Sequence, residues 1–572
     1  MVIMRNNILY LLFLCLFILV GGIKAQLSTN ELPISFGFKQ EDLTDTEDTV
    51  PTVVMPELDM EKIEAEDKED ELYDMPPRFG YQHKVDYNLN NSGTWKELPN
   101  GDKLWRLNVV CPHALSVNFC YDKFWIPEGG KFFVYSKDKK HSIGAFTSKN
   151  NKGNRETLRG FATGLIYSDD VVLEYYQPKE VTVDAIIEIK YVVHGYRYIN
   201  FGEKGIGSSG YCMVNVNCEE GQNWQNEKYA VARIIIEGAY YCSGSLINTT
   251  DLSEKPLLLT ANHCIEVVGK DAITDSVLDN TLFSWSYEIP GCVNTNIEPT
   301  YYSTEGAIIL SNNSYSDFAL LRLIENPDTL SNYTPFYLGW DSSGQGGNPG
   351  VCIHHPKGDV KKISTVYGVP VSSFWNSQTL DGDSHWQVGW DYTLNGHGMT
   401  QGGSSGSPLL TAAHKVIGQL HGSNCNNCNN TDGRSKYGKF NVSWTGNGNN
   451  NIYKRLNYWL DSLNIGVQTM EGLLIVRTAK TMNTTQQVYS NIRIKNSGQL
   501  TIQSDVELMG NSCVIVESGG SLIIDGGTLS NVELILKPGS SLQIINGGII
   551  ETRNGFTAPI GATVVINHGQ IM

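Results

Sequence analysis

The chain is 572 residues long, 41% hydrophobic and 18% charged, which excludes a disordered protein and exceeds the size of one domain. Its net charge is −17, from 60 Asp+Glu against 43 Lys+Arg, so nothing in the balance asks for a nucleic-acid partner. Most of the excess lies in residues 41–74, which hold fifteen Asp/Glu and two Lys; outside them the charge is mild and steers no substrate.

Residues 1–25 read as an export signal. Arg5 precedes the apolar run from Ile8 to Val20, and Ala25 ends a cleavage site. The run is too short for a retained membrane span. Cys15 lacks the small residue in front of it that a lipoprotein signal requires. No second apolar stretch approaches spanning length, so a secreted, soluble protein without a membrane span is expected. Residues 26–78 form an acidic segment with few aromatics, expected to be extended and flexible. It reads as a solvated linker, with an inhibitory segment as the functional alternative.

Residues 79–204 alternate short strand-like runs with turns and predict a β-sandwich. The runs include 104–110, 131–135 and 171–176, with Trp105, Phe133 and Tyr175 expected to point inward. Cys111 and Cys120 are spaced for a local disulfide across a hairpin. A carbohydrate-binding sandwich is the rival reading of this segment. The glycine-rich stretch 202–207 ends it, and cleavage near Lys204 is expected just ahead of Cys212.

Residues 205–466 carry the chemistry. Leu257-Leu258-Leu259 predicts a buried strand leading into Thr260-Ala261-Asn262-His263-Cys264. Ser316-Asp317 heads a second apolar strand, Phe318-Ala319-Leu320-Leu321. Gly402-Gly403-Ser404-Ser405-Gly406-Ser407-Pro408 places a serine in a tight turn, where glycines supply unusual backbone angles and room for a substrate carbonyl. Each feature alone is ordinary. Together, in the order His263, Asp317, Ser405, they match one known order of the serine triad. His263 is then the general base, Asp317 its orienting carboxylate and Ser405 the nucleophile. The backbone N–H groups of Gly403 and Ser405 are the expected oxyanion hole. An esterase would want Gly-x-Ser-x-Gly around the nucleophile and a Ser…Asp…His order, and with Ser405 as nucleophile neither is met.

These strings carry a family resemblance. Residues from about Gly207 to Asp461 resemble the bacterial lysyl endopeptidases, chymotrypsin-fold serine proteases. The likeness rests on Cys212 through Cys218 before Glu219-Glu220-Gly221, on Cys242-Ser243-Gly244-Ser245-Leu246, and on Thr260 through Cys264. It continues in Ile353-His354-His355-Pro356, the serine turn, Gly418-Gln419-Leu420-His421-Gly422, Tyr437-Gly438 and Ser443-Trp444-Thr445-Gly446. The resemblance implies a two-barrel all-β fold with the triad in the cleft between barrels. It implies disulfides Cys242–Cys264, Cys218–Cys292, and Cys212 with Cys425 or Cys428. It also implies pocket roles for Trp375, His421 and Gly422, and a pro-domain in residues 79–204. The family's acidic pocket residue, two positions before the Tyr-Gly pair, is here Ser435, with Asp432 as the nearby carboxylate. Ser404 stands where trypsin-like zymogens carry an aspartate, so activation by a new N-terminus is not expected. No metal and no cofactor are expected: Cys425-x-x-Cys428 has no second pair near it, and His354-His355 reads as structural.

Residues 467–572 change texture. Ser497-Gly498-Gln499-Leu500-Thr501-Ile502 is echoed at Gly520-Ser521-Leu522-Ile523-Ile524 and Ser540-Ser541-Leu542-Gln543-Ile544. Leucines recur at 500, 522 and 542, a period that suits rungs of a β-solenoid, with three rungs near the minimum for a core. The predicted whole is all-β: sandwich, double barrel, short solenoid. Its function is cleavage of protein or peptide substrates by a monomeric secreted endopeptidase, with cell-surface or matrix contact open to the C-terminal domain. The alternative is a secreted adhesin on an inactive protease fold.

Overall fold

A computed structural model describes residues 28–29, 31–38, 50–72, 75–199, 208–266, 275–295, 297–375, 383–424, 427–430 and 432–572. The expected signal 1–25, Lys204 and Cys425 lie outside them. The chain is mostly β, with a closed six-strand barrel, a half-barrel and a β-solenoid. No helix among the described residues is long and apolar enough to cross a membrane.

Two sheets form the N-terminal layer. One orders strands Thr52–Val54, Lys103–Val110, Asp170–Gln177, Lys131–Ser136 and Ser142–Phe146, with Thr94–Glu97 on Lys103–Val110. The other orders Gly80–Asn88, Ile186–Gly195, Ser116–Trp125 and Phe161–Ala162. Trp105, Phe132 and Tyr175 fill the space between them with Phe119, Tyr121 and Phe161. Phe133 does not point inward. Alternation along its strand sends Phe132 to the core and Phe133 to the outer face, where Ile34 and Phe36 cover it.

The same alternation separates Cys111 from Cys120, and neither is disulfide-bonded. Cys111 sits inside the sandwich. Cys120 packs on the opposite face of its sheet with Phe79 and Tyr241, so the expected local bridge cannot close.

Within the acidic segment, Met60–Leu72 is a helix rather than extended chain. Ile63 and Asp67 are buried on one face, and Asp67 is ion-paired to Arg78 and Arg197 and accepts from the Tyr196 hydroxyl. Glu66 pairs with Arg78 as well, while Glu61, Glu64 and Glu69 are exposed, so tertiary contacts one face wide order a sequence whose composition favours disorder.

The half-barrel orders Tyr302–Glu305, Thr281–Trp285, Val231–Ile236, Tyr240–Leu246, Leu257–Ala261, Phe318–Leu323 and Ala307–Asn313. The closed barrel runs Pro408–Thr411, Pro349–His354, Lys362–Ser373, His385–Trp390, Ser435–Lys439 and Lys415–Ser423, which pairs back onto Pro408–Thr411. Disulfides join Cys212–Cys428, Cys218–Cys292 and Cys242–Cys264. The sandwich docks on the half-barrel through two ion pairs, the buried Lys152–Glu305 at 2.6 Å and the partly buried Arg159–Asp279 at 2.6 Å.

The solenoid stacks parallel strands in strict register, Lys480↔Leu500↔Leu522↔Leu542↔Val564. Its leucine repeat shows three rungs, but five are built. Lys480 and Val564 hold the stack position in the outer rungs and so hide them from a leucine count. Strand Gly472–Val476 also pairs antiparallel with Phe336–Tyr337, which fuses the solenoid core to that of the half-barrel.

Candidate active site

Three local structures converge at the cleft. The strand Leu257–Ala261 ends in a short helical turn, Asn262–Ile265, that carries His263. The disulfide Cys242–Cys264 ties this turn to strand Tyr240–Leu246. Strand Phe318–Leu323 pairs with Leu257–Ala261, which brings Asp317 beside the histidine. Asp317 adopts φ +53, a left-handed conformation that a non-glycine holds only when its surroundings over-determine it. Here they do: its Oδ2 lies 2.8 Å from His263 Nδ1, its Oδ1 accepts the His263 backbone N–H at 2.9 Å, and its carbonyl accepts the Asn262 N–H. Burial penalises the Asp317 carboxylate, but the imidazoles of His263 and His421 and the His263 hydrogen bonds outweigh it and hold its pKa below the usual range.

The serine turn is locked to the opposite side of the same strand. The Ser243 N–H donates to the Ser405 carbonyl at 2.8 Å, and the Ser243 hydroxyl donates to the Gly403 carbonyl at 2.9 Å. Gly403 is at φ +90, and a Cβ there would come within 2.5 Å of the Tyr241 ring. The glycine is therefore required twice, for its angle and for its space. The Gly402 carbonyl accepts from the Lys357 N–H, so the N–H of Gly403, across the same trans peptide, faces the other way. Ser404 is buried and its hydroxyl meets His354 Nδ1 at 2.7 Å, with His354 Nε2 on Ser364 at 3.1 Å. Burial lowers the His354 pKa to about 3 and keeps the ring neutral. A neutral histidine thus holds the turn where an ion pair could have done so.

His263 and Ser405 line one cavity of about 550 Å3. His421 and Gly422 form its wall, and Trp375 lies flat on His421 at 3.7 Å between ring centroids. A Cβ on Gly422 would come within 2.6 Å of the Trp375 ring. Lys436 donates to the carbonyls of Phe374 and Trp375, which holds that loop in place. Thr400 also lines the cavity and is sealed from behind by Ser435, their hydroxyls 2.7 Å apart, with Trp390 Nε1 donating to Ser435 at 3.2 Å. Asp432 is not in the pocket: it is exposed, with its N–H on Asn430 and its carbonyl on the Arg434 guanidinium. Its backbone is committed to the surface loop closed by these contacts. Among the described residues no carboxylate lines the cavity; its cations are Arg197 and Lys357.

Two contributions were not legible in the motifs. His385 Nε2 meets His421 Nδ1 at 2.9 Å, from a strand that offers no motif of its own. The N-terminal segment also enters the cleft: Met75, Pro77, Arg197 and Tyr198 share the cavity with His263 and Ser405. Pro77 accepts the Tyr241 N–H at 3.2 Å, the Phe79 N–H donates to Ala239 at 2.8 Å, and Arg78 bridges Tyr240 antiparallel. A Cβ on Gly402 would lie 3.3 Å from the Pro77 ring.

Residues 206–438 match the family model of the lysyl endopeptidase C-terminal domain. Lysyl endopeptidase of Pseudomonas aeruginosa is 33% identical over 230 residues, 38% of this chain and 46% of that protein. Secreted RxLR effector protein 73 of Plasmopara viticola is 29% identical over 257 residues, 42% of this chain and 58% of that protein. The chain thus spans about half the length of these curated relatives. The solved serine endoprotease from Yersinia pestis aligns at 14% identity and a TM-score of 0.22, over 35% of this chain and 57% of that one. By sequence, residues 206–438 are thus similar to the C-terminal domain of the lysyl endopeptidases.

Proposed function

We propose that the protein is a secreted serine endopeptidase, acting through Ser405, His263 and Asp317, that selects uncharged side chains and is made as a self-covered precursor. The observation that carries the reading is the two-point hydrogen bond of Asp317 to His263 in the cleft that Ser405 lines. Ser405 Oγ attacks the scissile carbonyl carbon while His263 Nε2 takes its proton. The resulting oxyanion is met by the N–H groups of Gly403 and Ser405. Collapse expels the amine, which takes the proton back from His263, and leaves an acyl-enzyme that water hydrolyses by the same steps.

Specificity follows from the floor of the pocket. A lysine ammonium placed there would find hydroxyls of Thr400 and Ser435 already bonded to each other and, among the described residues, no carboxylate, and an unpaired buried cation is costly. Three disulfides suit an oxidising, extracellular setting.

Residues 79–204 serve as a pro-domain, and the strap 75–79 that leads into it is the part that covers the cleft. It pairs antiparallel with residues 239–241 as an extended peptide would, beside the serine turn. Pro76 and Pro77 offer no N–H, and Asp67 of the acidic helix clamps Arg78 and Arg197 behind them. Removal of this layer opens the cleft.

A fluorophosphonate probe should label Ser405 of the purified protein, slowly while the strap lies in the cleft and faster once it is removed, and Ser405→Ala should abolish labelling. Survival of the label in that variant rejects the nucleophile. Digestion of a random peptide mixture should show cuts after uncharged residues; dominant cutting after lysine rejects the pocket reading.

A further inference from the structure

We propose that His385 is a positioning residue: it fixes His421 as the tautomer that turns an N–H dipole toward Asp317, beside the hydrogen bonds from His263. The inference rests on the reading of Asp317 as the orienting carboxylate of the peptidase.

The geometry is a chain of contacts ending on Asp317. Ser384 Oγ lies 2.7 Å from His385 Nδ1, His385 Nε2 lies 2.9 Å from His421 Nδ1, and His421 Nε2 faces Asp317 Oδ2 at 3.7 Å. A neutral imidazole has one donor and one acceptor nitrogen, so the chain has only two consistent directions. In one, the Ser384 hydroxyl donates to His385 Nδ1, His385 Nε2–H donates to His421 Nδ1, and His421 Nε2–H points at Asp317. In the other every proton is reversed, and a lone pair of His421 faces a carboxylate that accepts only. An ionised Asp317 is compatible only with the first direction, and the short His385 Nε2–H contact to His421 Nδ1 is what holds His421 in it.

The surroundings keep both rings at one proton each. His385 is fully buried and burial lowers its pKa to about 4; burial lowers that of His421 to about 3. Asp317 and His263 face the pair from the half-barrel, and Lys436 and Lys439 from strand Ser435–Lys439. Trp375 stacks on His421 and fixes the plane of its ring, while His385 fixes the proton within that plane. Neither contact does the work of the other.

Two measurements test this on the full-length chain. Selective 15N labelling of histidine, with His421 assigned by substitution, should show His421 protonated at Nε2 and bare at Nδ1. The opposite tautomer overturns the proposal whether or not the protein hydrolyses peptides, so this arm is independent of the functional reading. In the second, the pH profile of fluorophosphonate labelling is compared for His385→Phe and His385→Gln. Phe removes the donor, so Asp317 loses a neighbouring N–H and becomes more basic toward His263. The acid limb should move up by about 0.5 unit, a shift of the size one hydrogen-bond dipole produces. Gln keeps a donor and should restore the native profile. If Phe folds and leaves both the limb and the His421 tautomer unchanged, His385 merely fills space; if neither variant folds, the tautomer in the unaltered chain decides.

Discussion

The solenoid and the closed barrel are both β-structures with dry interiors, yet they spend that interior differently. In the solenoid each strand pairs in parallel with the one roughly twenty residues on, and Leu500, Leu522 and Leu542 stack fully buried. Its lone histidine, His568, is exposed. The closed barrel is assembled from partners far apart, such as Pro349–His354 with Pro408–Thr411, and is tied to the chain by Cys212–Cys428 across 216 residues. It buries His354, His355, His385, Lys361, Lys362 and Asp359. Local apolar repetition yields stability and no chemistry. Long-range closure forces titratable groups into low dielectric, where their protons and dipoles can be set.

Substitutions should separate the two regions. The largest effect is expected at the cleft: Asp317→Asn should lower turnover by about 10⁴-fold, because the wrong imidazole tautomer is then held, with little change in thermal unfolding. A loss below tenfold would remove Asp317 from the mechanism. In the solenoid the pattern should invert. Leu522→Ala should cost about 2–5 kcal/mol of stability through the cavity it leaves, while labelling of Ser405 below the transition stays at the native rate. Coupled loss of both would mean that the two regions do not behave separately.

The strap comes next. Arg78→Ala removes a charge-assisted contact to Asp67, and contacts of that kind contribute about 1.5–3 kcal/mol, which corresponds to a ~10- to 100-fold faster probe reaction if the strap limits access. An unchanged rate would show that the cleft is open in the full-length chain.

The smallest effect is in pH dependence. The buried histidines of the closed barrel have pKa values below the 6.5 of an unfolded histidine: about 3 for His354, about 4 for His385 and about 3 for His421. Above pH 6.5 both states are neutral and the stability is intact. Between 6.5 and about 4 the unfolded chain takes protons that the folded one refuses, so stability falls as pH falls, on the order of 1 kcal/mol per unit per histidine. Calorimetry should show the transition of the closed barrel moving down over this range faster than that of the solenoid. Equal slopes would argue against buried neutral histidines as the cause.

Much of the site was legible because its residues sit in strong local contexts. His263 follows a buried strand, Asp317 precedes another, and Ser405 lies in a turn whose glycines Tyr241 and Thr260 leave no room to replace. The solenoid was legible because its contacts repeat with its sequence. Other features left no local mark. His385 lies in an ordinary strand, and only barrel closure sets it against His421. The helix Met60–Leu72 has the composition of a flexible tail, and its order comes from Arg78 and Arg197.

The sequence by itself determined the all-β class, the period of the solenoid and the kinds of side chain available for acyl transfer, since these follow from alternation, repetition and nearest-neighbour chemistry. Tertiary structure alone decided that Cys428 meets Cys212, that Cys111 and Cys120 face apart, that Asp432 stays on the surface, and that Met75 to Phe79 enter the cleft. Each of these depends on which face of a strand points where after distant segments have paired, and no local pattern encodes that.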